Sequence, residues 1–169
     1  MQNAVQPVAR FATRDDVEEI CRVCSEGWRA TYLGWKPEEY IEGVIAEFYV
    51  PDRVAREIGP RGESWGGYVL AELDGQILVA GGGGLIGPTN GELFVLYADP
   101  GRRRRGGGTA VLDFITAQPR ELGAVEQWVS VEPGNEMGLP FYRAHGFIER
   151  ERRPAYRGDG ESLRLSRLI

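Results

Sequence analysis

The chain has 169 residues and a mass of 18.8 kDa, which favours one domain over residues 1–169. Hydrophobic residues make up 42% of it and charged residues 27%, the balance of a globular protein with one core. The net charge of −5 disfavours a general nucleic-acid surface, and no apolar run approaches the ~18 residues that a membrane span needs. Met1–Phe11 shows no signal-peptide pattern, so we expect a cytoplasmic protein.

Hydrophobic periodicity predicts a strand and then helices in the first part of the chain. Thr13 can cap a helix whose apolar residues recur every three to four positions, and Pro37 suits the first turn of a second helix. The predicted elements are a strand over Val5–Phe11, a helix over Arg14–Glu26, an aromatic loop over Trp28–Gly34, a helix from Pro37 to about Val50 and another turn or two over Pro51–Ile58.

The rest of the chain alternates between strand and helix patterns. Asp74-Gly75 is a strong hairpin signal, and Gly81–Gly84 predicts a bulge or a strand over which a ligand passes closely. The predicted strands are Trp65–Leu73, Gln76–Ile86, Glu92–Ala98, Ala124–Val131, Phe147–Arg150 and Ser162–Leu168, and the predicted helices are Gly107–Arg120 and Met137–His145. We therefore expect an α/β (α+β) fold in which helices cover both faces of a mixed sheet.

The two cysteines, Cys21 and Cys24, have the C-x-x-C spacing of a redox dithiol or of half a zinc site. They lie in the middle of a predicted helix, whereas a redox pair needs a thiolate at a helix N-terminus. Zinc would need further thiol or imidazole ligands, and His145 is the one histidine of the chain. We therefore interpret both cysteines as small core residues and expect no metal site.

Arginines and glycines are concentrated at Arg102–Gly108, between a predicted strand and a predicted helix. A Walker A loop would need a lysine where Gly107 stands, and the dinucleotide-like spacing of Gly82, Gly84 and Gly87 leads into a turn instead of a helix. Glycines let the backbone approach an anion, a helix N-terminus presents free N–H groups, and arginines neutralise charge. The segment therefore indicates a site for a pyrophosphate-sized anion. The alternative is a helix cap with a solvated arginine face.

The same segment carries a family resemblance. Glu92–Pro100 followed by Arg103–Thr109, with the spacing Arg-x-x-Gly-x-Gly, resembles motif A of the GNAT superfamily of acyl-CoA-dependent N-acyltransferases. Asn135 and Phe141–Phe147 are similar to the Asn and Phe-Tyr-x-x-x-Gly-Phe segment of that family, in the same order. With weaker similarity before motif A, the resemblance covers nearly the whole chain. It implies a mostly antiparallel sheet that splays near its centre, with acetyl-CoA in the cleft.

The resemblance also implies which residues hold acetyl-CoA. Backbone groups of the motif A strand would pair with the pantetheine arm, and the loop after it would bind the pyrophosphate. The implied residues are Leu96, Tyr97, Ala98, Arg103, Arg104, Arg105, Gly106, Gly107, Gly108, Thr109 and Asn135. Arg104 and Gly107 depart from the small and aliphatic residues common at these positions in the family, but neither change removes a backbone amide.

Two residues are implied as catalytic. Glu92 lies where several family members keep a carboxylate base, and Tyr142 matches the usual acid that protonates the leaving thiolate. Alkyl ammonium groups have a pKa near ~10.4, so a base or a water relay has to remove one proton from the acceptor. The alternatives are a strand-end glutamate that faces solvent, with water relays or another carboxylate as the base, and a tyrosine that only fills the core.

The acceptor site of the family is built from the first helices and their loop, where Trp28 and Tyr32 stand in this chain. The alternative is that these rings only pack under a loop. No acidic cluster accompanies these rings, so the sequence does not indicate a polycationic acceptor. We expect direct acetyl transfer to a primary amine of a small molecule or of a peptide or protein N-terminus, with a homodimer possible. The alternative is an acyl-CoA-binding sensor or interaction module without activity.

Overall fold

The hairpin signal Asp74-Gly75 joins two antiparallel strands in the computed structural model, which describes residues 3–169. Both turn residues have positive φ angles, 51° at Asp74 and 74° at Gly75, as a tight hairpin turn requires. The strands are β1 (Val8–Phe11), β2 (Val69–Leu73), β3 (Gln76–Leu85), β4 (Asn90–Ala98), β5 (Glu126–Val131), β6 (Ile148–Pro154) and β7 (Glu161–Leu168). The helices are α1 (Val17–Tyr32), α2 (Glu38–Phe48), α3 (Pro51–Arg56), α4 (Gly107–Glu121) and α5 (Gly138–Ala144).

The seven strands form one mixed sheet in the order β1-β2-β3-β4-β5-β7-β6. All neighbours are antiparallel except β4 and β5, which run parallel. Because successive side chains point to opposite faces, Val69 and Ala71 of β2 pack in a cluster with α4, whereas Leu70 packs in a second cluster with α1. Helices therefore cover both faces, which confirms the predicted α/β fold with a mostly antiparallel sheet.

The sheet splays at its parallel pair of strands, β4 and β5. β4 pairs with β5 only from Asn90–Leu93 to Glu126–Val129, and beyond that point the strands separate. From there β4 continues to Ala98 with only β3 as a partner, and β5 continues with only β7. The separation leaves a cleft between two halves of the sheet, as the resemblance implied.

The predicted bulge lies close to the point where β4 and β5 separate. Gly82 pairs with Val95 and Gly83 pairs with Leu93, so Phe94 is the extra residue and it lies on β4. The glycines allow close packing, because a Cβ at Gly82 would overlap the ring of Trp65. The space beside Gly82 is filled by the Trp65 ring and that beside Gly84 by the backbone of Ser64, whereas the passage of a ligand over this strand stays a prediction.

Two predicted boundaries are wrong at the N-terminal end. Trp28–Gly34 was predicted as a loop, but α1 continues to Tyr32 because the rings of Trp28 and Tyr32, one helical turn apart, pack with centroids 4.3 Å apart. The first strand begins at Val8 and not at Val5. Among residues 3–169, no helix combines the length and the apolar character of a membrane span.

Candidate active site

The free edge of β4 is the first component of the cleft. Leu96, Tyr97 and Ala98 pair with β3 on one side, and no described strand pairs with them on the side of β5. Their backbone N–H and C=O groups on that side are available to an extended ligand, since a strand edge presents unpaired donors and acceptors. The edge can therefore bind an amide-bearing chain laid along it.

The loop after β4 turns sharply before α4 begins at Gly107. Arg104 and Gly106 have φ angles of 62° and 84°, in the left-handed region. Gly107 and Gly108 start the helix in close packing: a Cβ at Gly107 would lie 2.9 Å from Val79, and one at Gly108 would lie 3.1 Å from the Phe141 ring. The first N–H groups of this 15-residue helix lack helical acceptors and carry the positive end of the helix dipole. They form a cradle for an anion.

Of the four consecutive arginines, Arg102 contacts a carboxylate of the described residues and the other three do not. Arg102 lies 3.7 Å from the carboxylate of Asp99 and donates to the carbonyl of Ile77 at 3.3 Å. In residues 3–169, no carboxylate lies within the 4.0 Å limit of an ion pair from Arg103, Arg104 or Arg105. Burial lowers the pKa of Arg103, although an arginine stays protonated. Three guanidinium groups thus surround the cradle without a counter-charge.

These features line one cavity of about 570 Å³, which we call the loop cavity. The structure brings the sequence-predicted residues together around it: Leu96, Tyr97, Ala98, Arg103, Arg104, Arg105, Gly106, Gly107, Gly108, Thr109, Asn135 and Tyr142. Their donor set suits acetyl-CoA, because a strand edge matches the amides of the pantetheine arm and a cationic helix N-terminus matches its pyrophosphate.

A second cavity, of about 770 Å³, is lined in part by residues of α1, α2, α3 and β4, and we call it the aromatic cavity. Its lining includes Trp28 and Tyr32, the predicted acceptor residues, with Tyr49, Trp65 and Phe94. The two cavities share Tyr32, Phe94, Val95, Tyr97 and Ser130, and we call these five residues the junction. A donor in one cavity and an acceptor in the other would meet there.

Tyr142 lines the loop cavity from α5. Its ring packs between Phe141 and Phe147, with centroids 5.4 Å and 5.5 Å away. Burial raises the pKa of the Tyr142 phenol above its ordinary value. The hydroxyl therefore stays protonated at neutral pH, as a proton donor must.

Glu92, predicted as the base, lines neither cavity. Its carboxylate is bound by Arg164, and the two side chains are only 12% and 7% exposed. The same guanidinium donates to Ser130 Oγ at 2.8 Å and lies over the ring of Trp128. Glu92 is thus an ion-paired carboxylate that is connected to the junction residue Ser130 through Arg164, and its role as a base stays a prediction.

Two further predicted residues shape the loop cavity. Asn135 accepts hydrogen bonds from the backbone N–H groups of Gly138 at 2.7 Å and Met137 at 3.2 Å, which fixes the start of α5. The hydroxyl of Thr109 lies 3.0 Å from His145 Nε2, so that its backbone N–H is the group left for a ligand. His145 Nδ1 lies 2.8 Å from the carbonyl of Phe141, at the end of α5, and His145 lines neither cavity.

The cysteines lie in the core-facing part of α1. Cys24 is buried and Cys21 is partly buried, and both are free thiols. Burial raises the pKa of each thiol, so that neither is a ready thiolate. Within the described part of the chain, no group of three or more metal-binding side chains is placed to hold an ion.

Sequence reasoning missed Ser130 and Arg164. Ser130 is an isolated serine on β5, and nothing in its neighbourhood marks it. Arg164 could have been found, because it stands between Leu163 and Leu165 on an apolar strand. A charge buried there is costly unless a partner of opposite charge is close, which indicates such a partner.

Comparisons with known proteins show the family of this chain. The family model of the acetyltransferase (GNAT) family matches residues 22–147. A spermidine N(1)-acetyltransferase of Thermoplasma acidophilum is 30% identical over 139 residues, which cover 79% of this chain and 83% of the relative.

Solved structures share the fold. The PaiA N-acetyltransferase of Thermoplasma acidophilum in complex with coenzyme A superimposes with a TM-score of 0.83 at 24% identity, over 98% of this chain and all of that one. The ribosomal-protein-S18-alanine N-acetyltransferase of Escherichia coli has a TM-score of 0.68 at 16% identity, over 97% and 94% of the two chains. With the family model and the relative above, these likenesses confirm the resemblance, and the chain belongs to the acetyltransferase (GNAT) family of enzymes.

Proposed function

We propose that this enzyme transfers the acetyl group of acetyl-CoA directly to a primary amine, with the donor in the loop cavity and the acceptor in the aromatic cavity. The observation that carries the proposal is the junction, where Tyr32, Phe94, Val95, Tyr97 and Ser130 line both cavities. Two substrates that enter from the two sides can react there without a covalent enzyme intermediate.

The loop cavity would bind the donor through backbone groups. Amides at the start of α4 and the free guanidinium groups of Arg103, Arg104 and Arg105 would hold the pyrophosphate. The free edge of Leu96, Tyr97 and Ala98 would pair with the pantetheine amides. When bound, acetyl-CoA supplies a thioester whose carbonyl carbon the amine attacks, and an N–H of this edge would stabilise the carbonyl oxygen as charge develops on it.

Acetyl transfer forms a C–N bond, breaks the C–S bond and moves two protons. Tyr142 would donate one proton to the leaving thiolate, and because burial raises the pKa of its phenol, the hydroxyl carries that proton at neutral pH. An acceptor that arrives as an ammonium loses two protons. Glu92 would accept the first through a water, since it lines neither cavity, and the second, lost as the C–N bond forms, would restore the proton that Tyr142 gives to the thiolate. Arg164 would act as a positioning residue, because it fixes both Glu92 and Ser130.

The name of the relative from Thermoplasma acidophilum makes spermidine one candidate acceptor, and the alanine acetyltransferase of Escherichia coli makes a protein N-terminus another. The experiment that tests the proposal is thiol release from acetyl-CoA, measured with a panel of amines and peptides and with mass analysis of the product. One N-acetylated product for each thiol released supports direct transfer. Binding of acetyl-CoA with no amine-dependent release would support a sensor instead.

A further inference from the structure

The walls of the aromatic cavity are made of rings in mutual contact. Trp28 and Tyr97 have ring centroids 5.8 Å apart, Tyr49 and Tyr97 are 6.2 Å apart, and Trp65 and Phe94 are 6.5 Å apart. Phe94 is the bulged residue of β4 and is 47% exposed, so its ring is free to contact a ligand at the junction. Such surfaces favour a flat or bulky apolar body, because burial of its area and ring contacts both contribute.

Both carboxylates that line this cavity are already neutralised. Glu57 accepts from Arg53 Nε at 2.7 Å, and Glu132 lies 3.3 Å from the ammonium group of Lys36. The four side chains are largely shielded from solvent, with exposures of 21% for Glu57, 33% for Arg53, 15% for Glu132 and 16% for Lys36.

A further cation lines the cavity without a counter-charge. Arg61 has no carboxylate within the 4.0 Å limit of an ion pair among residues 3–169. Two cations, Arg53 and Arg61, and two carboxylates, Glu57 and Glu132, line the cavity. Because Lys36, outside the lining, also pairs with Glu132, neither lining carboxylate is left without a cation to balance an added one.

This balance of charge decides between amine classes. A polyamine brings two or more ammonium groups, and only one of them loses its proton for the reaction. Each remaining ammonium would be desolvated beside cations without a free carboxylate, which is unfavourable. An acceptor with one amine is favoured instead, because nearby cations lower the pKa of that amine and so favour its neutral, nucleophilic form.

We propose that the aromatic cavity takes an acceptor with one amine on an apolar, ring-bearing body and discriminates against polyamines. The proposal rests on the proposed function, because the aromatic cavity is the acceptor site only if the loop cavity holds the donor. It gives this chain an acceptor class different from the one in the name of its relative from Thermoplasma acidophilum.

The first test compares three amines on the wild-type enzyme at saturating acetyl-CoA. We expect kcat/KM for phenethylamine to exceed that for ethylamine and that for spermidine by at least about tenfold. Equal or better turnover of spermidine would overturn the proposal and leave the proposed function intact. Calorimetric binding of the same amines to the complex with coenzyme A gives the second readout. If no amine is acetylated, the proposed function fails, and the order of affinities still decides which amine class the cavity prefers.

Two substitutions test the physical cause. Lys36→Met frees the carboxylate of Glu132, so we expect kcat/KM for spermidine to rise roughly fivefold, and the double variant Lys36→Met/Glu132→Gln should lose that gain. Phe94→Ala should lower the ratio of kcat/KM for phenethylamine to that for ethylamine about three- to tenfold. No gain for spermidine in Lys36→Met, or equal losses for both monoamines in Phe94→Ala, would contradict the assignment. Thermal unfolding checks that each variant is folded.

Discussion

Arg164 Nη1 donates to Ser130 Oγ at 2.8 Å, and the same guanidinium binds the carboxylate of Glu92. The contact connects the last strand of the chain to the place where β4 and β5 separate. Ser130 lines both cavities, whereas Glu92 lines neither. The Ser130 hydroxyl therefore connects the largely buried Glu92–Arg164 ion pair to both cavities. The candidate base and the reaction site are therefore linked through Arg164.

Glu92→Gln tests the proposed base. We expect kcat to fall roughly 100-fold, because general base catalysis contributes about that much. We also expect the pH dependence of kcat to differ from that of the wild-type enzyme. The measurement is a pH–rate profile, with thermal unfolding to separate chemistry from loss of the ion pair. Glu72→Gln is the matched control, since Glu72 also pairs with an arginine, Arg10, and lines neither cavity. A wild-type kcat and pH profile in Glu92→Gln would assign the proton to another group or to water.

Tyr142→Phe removes the proposed acid and keeps the ring that packs between Phe141 and Phe147. We expect kcat to fall about 100-fold with little change in the affinity for coenzyme A. An acetyl donor with an aromatic thiol as leaving group needs no acid, so the variant should recover with that donor. Because the pKa of Tyr142 is raised, loss of its proton should not lower the wild-type rate below about pH 10. Equal loss with both donors would rule out proton donation by Tyr142.

Arg103→Ala/Arg105→Ala tests the pyrophosphate site. Loss of two charged contacts should raise the Kd for coenzyme A by about tenfold or more, and added salt should reduce the difference from wild type. Turnover of acetyl-pantetheine, which lacks the pyrophosphate, should be unaffected. Arg152→Ala, an exposed arginine on β6, serves as the control. Equal losses with both donors would mean that these arginines support the fold and not the anion.

Asp16 supplies a prediction about stability. Its carboxylate binds Arg10 through contacts of 2.8 Å and 3.0 Å and accepts from the backbone of Thr13 at 2.7 Å. The hydrogen bond from Arg10 lowers the pKa of Asp16, so its stabilisation is present above the unfolded pKa of about 3.9 and is lost as pH falls through the folded value.

Asp16→Asn should therefore lower the free energy of unfolding by about 1.5–3 kcal/mol at neutral pH. In urea unfolding, this difference should shrink as pH falls below about 3.9. Asp15→Asn, at the exposed neighbouring position, should have little effect. A difference that stays constant with pH would argue against the ionised carboxylate as its source.

The residues that line the loop cavity could be grouped from the sequence because most of them are close together in it. A strand end, a glycine-rich turn and a helix start follow one another within Leu96–Thr109, and backbone amides are the groups that we propose bind the donor. The junction depends instead on tertiary pairing, since Ser130 and Arg164 meet only where β5 and β7 lie side by side. The sequence places Tyr32 in an aromatic loop, whereas in the structure α1 extends through Tyr32, whose ring packs on that of Trp28.

The most direct test of the central claim is a crystal structure of the enzyme with acetyl-CoA. We predict the pyrophosphate on the amides that begin α4, the pantetheine along the free edge of Leu96–Ala98, and the acetyl group at the junction beside Tyr142 and Ser130. A donor bound outside the cleft, or an acetyl group directed away from the aromatic cavity, would contradict the account.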